Sequence, residues 1–388
     1  MKEIISDFSN KIEIITPNDD YHYFFAYYDM RATGNNGINQ NHLCHRVKFM
    51  DRLPEKDDIC ELGYLKDGKF IKFAETTAWN FQQGAMLQYH PTLPDTVYYN
   101  IEENGTFKTV THNIKNGKKI YTDMATACVS PSGKYGLSVN FGRIFAFRPG
   151  YGYAGFEDKN KEVNAPGDDG VFLTDMESGK SKLLISYKNM LKESGFSEKQ
   201  KILVNHITFN TDSTRYVMLV RNFGGDDGIW KTSMMIGDLK GNVKTLLEKT
   251  YVSHYWWISA NEILAHCSAE GEKKSLYVLN VDSGEYKEIK SYYFDLPQPD
   301  IHCTMTPNGK YVIGDGYPID GYRHLLAINL ETGESRVILK AKTDIPKIAD
   351  IRCDLHARYV FDGKYVSFDT THNGKRQIAI FSLDNLNF

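Results

Sequence analysis

The chain has 388 residues, 41% hydrophobic and 24% charged, with a formal net charge of -3. That suffices for a sizeable core, while the slight acidity offers no field for nucleic acid or an anionic membrane. No apolar run approaches the roughly 20 residues needed to span a bilayer.

Met1-Lys2-Glu3-Ile4-Ile5-Ser6-Asp7 carries acids where a signal peptide would be basic and then apolar, so a cytoplasmic protein with no membrane partner is expected. The six cysteines (Cys44, Cys60, Cys128, Cys267, Cys303, Cys353) are scattered and never form C-x-x-C. They argue against a zinc ribbon or a disulfide scaffold and read as reduced, apolar strand residues. Aromatics reach 13%, which favours half-buried strands.

In chain order, Lys11-Ile-Glu-Ile-Ile-Thr16 reads as a strand. Seven modules follow, at roughly 20–80, 81–120, 121–200, 201–250, 251–295, 296–345 and 346–383. The first opens on Tyr21-His-Tyr-Phe-Phe-Ala-Tyr-Tyr-Asp29, which reads as core packing. Between the first two lies Trp79-Asn-Phe-Gln-Gln-Gly84, a run of amides that places Gln82 and Gln83 at a channel mouth. His90, beside Pro91, reads as structural.

The third module carries Thr126-Ala-Cys-Val-Ser-Pro-Ser-Gly-Lys-Tyr135, a small turn followed by an apolar strand. An interruption then runs from Asn140 to Ala154, with Arg143, Arg148, Tyr151 and Tyr153. Guanidinium forks grip carboxylates and aromatic faces stack on sugars, so this loop suits an anionic sugar. It could equally fold on its own aromatics; Arg143 and Tyr153 are the preferred contacts. Lys188–Lys201 has helical spacing.

The turn recurs in His302-Cys-Thr-Met-Thr-Pro-Asn-Gly-Lys-Tyr311 and His356-Ala-Arg-Tyr-Val-Phe-Asp-Gly-Lys-Tyr365, more loosely from His206 to Tyr216, and shortened from His254 to Glu262. A second half-module, as in Ser275-Leu-Tyr-Val-Leu-Asn-Val-Asp-Ser-Gly284, adds two further strands. About four antiparallel strands every ~40–55 residues define propeller blades. The expected fold is therefore all-β: one seven-bladed β-propeller domain over 1–388. The last module has three clear strands, and the segment near 11–16 closes the ring.

His206, His254, His302 and His356 fall at equivalent places, 48, 48 and 54 residues apart. Equivalent positions on inner strands converge on the central channel, where imidazoles can bind a metal or serve as acid and base. One histidine per blade can also simply bond its neighbour's backbone. Arg352 and Asp354 make the surroundings of His356 polar.

The S-P-S-G-K-Y and T-P-N-G-K-Y turns resemble the modules of TolB-type propellers. Over roughly residues 200–383, the series His254, His302 and Asp354-Leu-His356 resembles the oligogalacturonate lyases, seven-bladed propellers acting on pectic oligosaccharides in the cytoplasm. The N-terminal half is similar only in general plan to propeller polysaccharide lyases and their relatives that cleave rhamnose–glucuronate linkages. The resemblance implies a divalent cation, manganese above all, on His302 and His356, with His254 as the base. Asp354 stands where the family pattern has a histidine, and Arg352 near an expected glutamine. Asp354 can still bind manganese, but an arginine beside a cation is unfavourable, so Arg352 can take the substrate carboxylate instead.

The expected activity is β-elimination on a uronate-containing oligosaccharide. Fixed positive charge neutralises the carboxylate, and a neutral His254, His206 or Tyr153 takes the α-proton. Arg143, Arg148, Tyr151, Arg352 and Gln83 are the substrate contacts. The alternatives are a glycoside hydrolase, for which Asp29, Asp300, Asp315 and Asp354 offer carboxylates, and a non-catalytic propeller that binds a sugar or a protein.

Overall fold

Alternating apolar and polar runs bounded by Gly, Asp and Ser turns give seven antiparallel sheets, five of them built wholly from consecutive strands. They form a seven-bladed β-propeller in the computed structural model, which describes residues 4–6, 12–34, 36–224, 229–296 and 300–383. Blade 1 comprises His22–Phe24, His42–Val47, Cys60–Lys66 and Lys69–Thr76. Blade 2 starts at Gln88–Tyr89 and blade 3 at Thr126–Val129. Blades 4, 5 and 6 start at Ile202–Phe209, Val252–Trp257 and His302–Met305. Blade 7 starts at Arg358–Val360.

The C-terminal part of the chain gives blade 7 three strands, and its outer strand is Ile12–Ile14, with Ile12 opposite Phe381. Lys11 lies outside the described residues. A further pair, Ile4–Ile5, adds a fifth strand to the outer edge of blade 6, opposite Lys340 and Ala341. Two residues carry too little pattern to be read as a strand from sequence.

The repeated turn is explained by its backbone conformation and, in two copies, by packing between blades. Gly133, Gly309 and Gly363 all have φ near the left-handed region, at 73°, 72° and 76°. A Cβ on Gly133 would meet the His90 ring at 2.6 Å, and one on Gly363 would meet Pro307 at 2.7 Å. In the looser blade 4 copy, Ser213 takes φ 66° in place of glycine, and its hydroxyl accepts from the Ser132 amide in blade 3.

Among the described residues there are two α-helices, both interrupting blade 3 or following it: Phe141–Phe147 and Tyr187–Glu193. The expected helix starts at Tyr187, where Ser186 caps it by accepting from the Asn189 amide, and ends at Glu193, just before Gly195 at φ 73°. The first helix falls where the sequence reads as loop, since Phe141-Gly-Arg-Ile-Phe-Ala-Phe147 lacks a polar face. No helix among the described residues is long and apolar enough to cross a membrane.

Candidate active site

The segment between the first two strands of blade 1 runs into the central channel. Its entry is set by Asp369, whose carboxylate accepts from the amides of Phe25 and Ala26 at 3.1 and 2.9 Å. Arg358 pairs with Asp369 and donates to the Ala26 carbonyl. The clamp holds Ala26 at φ 92°, a conformation costly for a residue with a Cβ. Tyr27 and Tyr28 are thereby carried to the axis.

All four in-register histidines surround Tyr28, with ring centroids 6.4 Å (His206), 6.1 Å (His254), 5.7 Å (His302) and 6.2 Å (His356) away. His302 lies 4.0 Å from His254 and 4.4 Å from His356, ring to ring. Tyr28 is pinned by donating to the Tyr255 carbonyl at 3.0 Å. The aromatic segment read as packing is therefore the plug around which the histidines assemble.

Above the plug a cavity of about 260 Å³ opens, with Tyr27 as part of its floor. Its walls hold Arg148, Arg221, Lys274 and Arg352 but, among the described residues, one carboxylate, Asp300. Three of the cations lie over rings: Arg148 over Tyr151 at 4.2 Å, Arg221 over Trp230 at 4.5 Å and Lys274 over Tyr251 at 4.2 Å. Stacking helps to fix the heads; Arg221 also donates to the Thr232 hydroxyl and the Val252 carbonyl, and Arg148 pairs with Asp350 at 3.6 Å. Burial, then Arg148, pulls Arg221 down to about 10, still cationic at neutral pH.

His254 lines this cavity. Its Nδ1 lies 3.0 Å from Asp300, which also accepts from the Ser253 hydroxyl at 2.6 Å. A carboxylate at Nδ1 places the proton there and leaves the lone pair on Nε2. Burial, followed by the neighbouring His302, pushes the His254 pKa down to about 3, so the ring is neutral over the ordinary pH range. Burial works against the Asp300 charge, but His254 and His266 hold its carboxyl well below the usual range.

His302, His356 and Asp354 lie deeper, all buried, with ligand atoms within 4.8 Å of one another. His302 turns Nδ1 to Asp315 at 3.3 Å, and the Nε2 atoms of His302 and His356 are buried without a hydrogen-bond partner. Burial lowers His302, but Asp315 outweighs it and raises the pKa. His356 is pushed well below the histidine range, by burial first and then by His302. Arg323 and Arg352 contact Asp354 at 2.6 and 2.8 Å, and against its burial they keep it ionised. Neither contact is aligned as a hydrogen bond, but each carboxylate oxygen has a guanidinium nitrogen against it. Two orphaned imidazole nitrogens and a carboxylate are a donor set that fits a divalent cation, with the two guanidiniums on Asp354 opposing it.

Of the expected contacts, Arg148, Tyr151, Arg352 and His254 meet in the cavity. Arg352 donates to the Tyr151 hydroxyl at 3.0 Å, and its backbone carbonyl accepts from the Gln82 side chain. His206 lies beneath, its Nε2 2.8 Å from Asp29, with Tyr27 between it and His356.

Three expectations need correction. Arg143 is fully buried: its guanidinium pairs with Asp158 at 2.8 Å and donates to the carbonyls of Ile202 and Asn164, so it ties down the loop after the helix and has no face for substrate. Tyr153 is likewise buried, stacked on Phe141 at 4.2 Å, and its hydroxyl accepts from Asn100. Gln83 is buried away from the cavity, in a turn whose amides are held by Asn80. Tyr27, Arg221, Tyr251, Lys274 and Tyr317 were missed. A signal existed for Arg221, a charge within the last two residues of its strand, as Asp315 and Asp369 are in blades 6 and 7.

The geometry can be set beside known proteins. No protein-family profile and no curated protein matches the sequence. The structure is similar to an oligogalacturonate lyase in complex with manganese, with a TM-score of 0.68 at 13% identity over 98% of this chain and 96% of that one. It is also similar to the oligogalacturonate lyase of Vibrio parahaemolyticus, at 0.64 and 12% over 98% of both chains. A prolyl endopeptidase matches at 0.50 and 8%, over 93% of this chain and 51% of that one. At such identities the likeness is one of fold: a seven-bladed propeller shared with oligogalacturonate lyases along nearly its whole length.

Proposed function

We propose that the chain, acting as one propeller domain, is a lyase that cleaves uronate-containing oligosaccharides by β-elimination. The observation that carries this reading is the cavity in which four cations face a single carboxylate, with that carboxylate engaged by His254. The likeness to oligogalacturonate lyases supports the same class of substrate.

The α-proton of a uronate is weakly acidic while its carboxylate is charged. Arg352 and Arg148 bind that carboxylate, and their fixed charge stabilises the enolate that forms as the proton leaves. Nε2 of His254 takes the proton; the imidazolium so formed keeps its Nδ1–H on Asp300. The electron pair forms the new C4–C5 double bond and expels the O4 leaving group. Tyr27 supplies its proton, since it lines the cavity and its hydroxyl has no protein partner among the described residues. A manganese ion on His302, His356 and Asp354 would add positive charge for the developing enolate. Hydrolysis by paired carboxylates has less support, because Asp315 and Asp354 are buried and Asp29 lies outside the cavity.

The test is incubation with oligogalacturonates and other uronate oligosaccharides while following the ultraviolet absorbance of the unsaturated product. Growth of that absorbance is expected. Reducing sugar released without it would replace elimination with hydrolysis.

A further inference from the structure

A second cavity, of about 180 Å³, opens toward the other end of the inner strands. Blade 4 reaches the first cavity at Asn205 and this one at Phe209; blade 5 reaches them at His254 and at Trp256–Trp257. The plug spans both, with Tyr27 in the first and Asp29 in the second. Nothing in the elimination uses this second mouth.

Its walls are mainly aromatic and aliphatic, and its one cation is Arg31. The Arg31 guanidinium donates from Nε to the Tyr89 carbonyl at 2.9 Å and from Nη2 to the Gln88 amide oxygen at 2.6 Å. Both acceptors are neutral. Among the described residues no carboxylate pairs with Arg31, and its Nη1 has no protein partner. Burial pulls its pKa below the usual guanidinium value, and the Asp29 carboxylate, which acts on it through space without a direct contact, only partly offsets this. Asp29 is already engaged by Nε2 of His206 at 2.8 Å.

A partly enclosed guanidinium with a spare donor, set among aromatic walls, asks for a ligand that brings a negative charge and an apolar body together. We infer that this second mouth binds a small carboxylate carrying an aromatic ring, its carboxylate on Arg31 and its ring against Trp256 and Phe209. A sugar would leave hydroxyls facing apolar walls, and an inorganic anion would leave the walls unused.

The experiment is titration of the full chain with 3-phenylpropionate, 3-phenylpropanamide and 2-phenylethylamine, read by tryptophan fluorescence and calorimetry. The carboxylate is expected to saturate with a Kd below about 1 mM, and the amide to bind roughly tenfold more weakly or worse. Arg31→Met should remove the carboxylate's advantage over the amide, while Arg352→Gln, in the first cavity, should leave it intact. Three results overturn the inference: no saturable binding of the carboxylate, equal or tighter binding of the amide or amine, or loss in Arg352→Gln in place of Arg31→Met. The comparison of the three ligands on the unaltered chain decides even if Arg31→Met fails to fold.

Discussion

The guanidinium of Arg352 donates to the hydroxyl of Tyr151 across 201 positions of sequence, joining the blade 3 excursion to the approach to blade 7. It also contacts Asp354, so one side chain links the cavity wall to the buried histidine–carboxylate group. Arg352→Gln should raise KM and lower kcat together, with kcat/KM falling roughly tenfold to a hundredfold for a lost charge-assisted contact. Steady-state kinetics on a uronate oligosaccharide checks this, and an unchanged KM would remove Arg352 from carboxylate binding.

His254→Ala should reduce kcat by about 10²-fold or more while leaving KM nearly the same, because the base acts on the proton in the transition state. Asp300→Asn should also lower kcat, since an amide no longer fixes the proton on Nδ1. A His254→Ala protein with full activity would move the base elsewhere in the cavity.

The histidines were legible because their spacing follows the blade period, and the blade count followed from the same turn. The cations opposite them were not. Arg221 and Lys274 reach the cavity from different blades, and no local pattern announces that they meet. Arg143 misled for a related reason: an arginine in a glycine-rich loop reads as a ligand contact, yet this one satisfies backbone carbonyls within the loop. Tyr27 and Tyr28 look like core residues because they are buried; only the tertiary path of residues 25–31 makes them the plug.

Acid should destabilise the fold well above the carboxylate range. Burial pushes His42 and His45 in blade 1 down to about 3 from an unfolded value of 6.5. Between those values the unfolded chain binds more protons than the folded one, so stability is full above 6.5 and falls as pH drops toward 3. His302, raised beside Asp315, opposes this but is outnumbered. Thermal melts should show Tm falling from pH 7 to pH 5, with proton uptake on unfolding seen by calorimetry in buffers of different ionisation enthalpy. A flat Tm over that range would contradict the burial of neutral histidines.

Equilibrium dialysis with manganese should show one bound ion per chain, lost in His302→Ala and in His356→Ala. Chelation should lower activity and manganese restore it. Binding that survives both substitutions would place the ion outside this group.

Asp369→Asn should cost about 3–5 kcal/mol, because it leaves the buried Arg358 without its counter-charge. If the clamp also sets the plug, the surviving folded fraction should show reduced kcat. Denaturant unfolding and kinetics on the same sample separate the two effects.

The outer strand of blade 7 is made long before the strand it pairs with. Ile12–Ile14 cannot pair until Gln377–Ser382 has been synthesised. At about 5–20 residues per second that interval is on the order of tens of seconds. Throughout it an Ile-Glu-Ile edge stands open on the nascent chain, the kind of edge that recruits strands from other molecules. Six blades can stack as they emerge, but closure of the ring is withheld until synthesis reaches the seventh, so the burden of avoiding aggregation falls on the ribosome-bound stage of this protein's life.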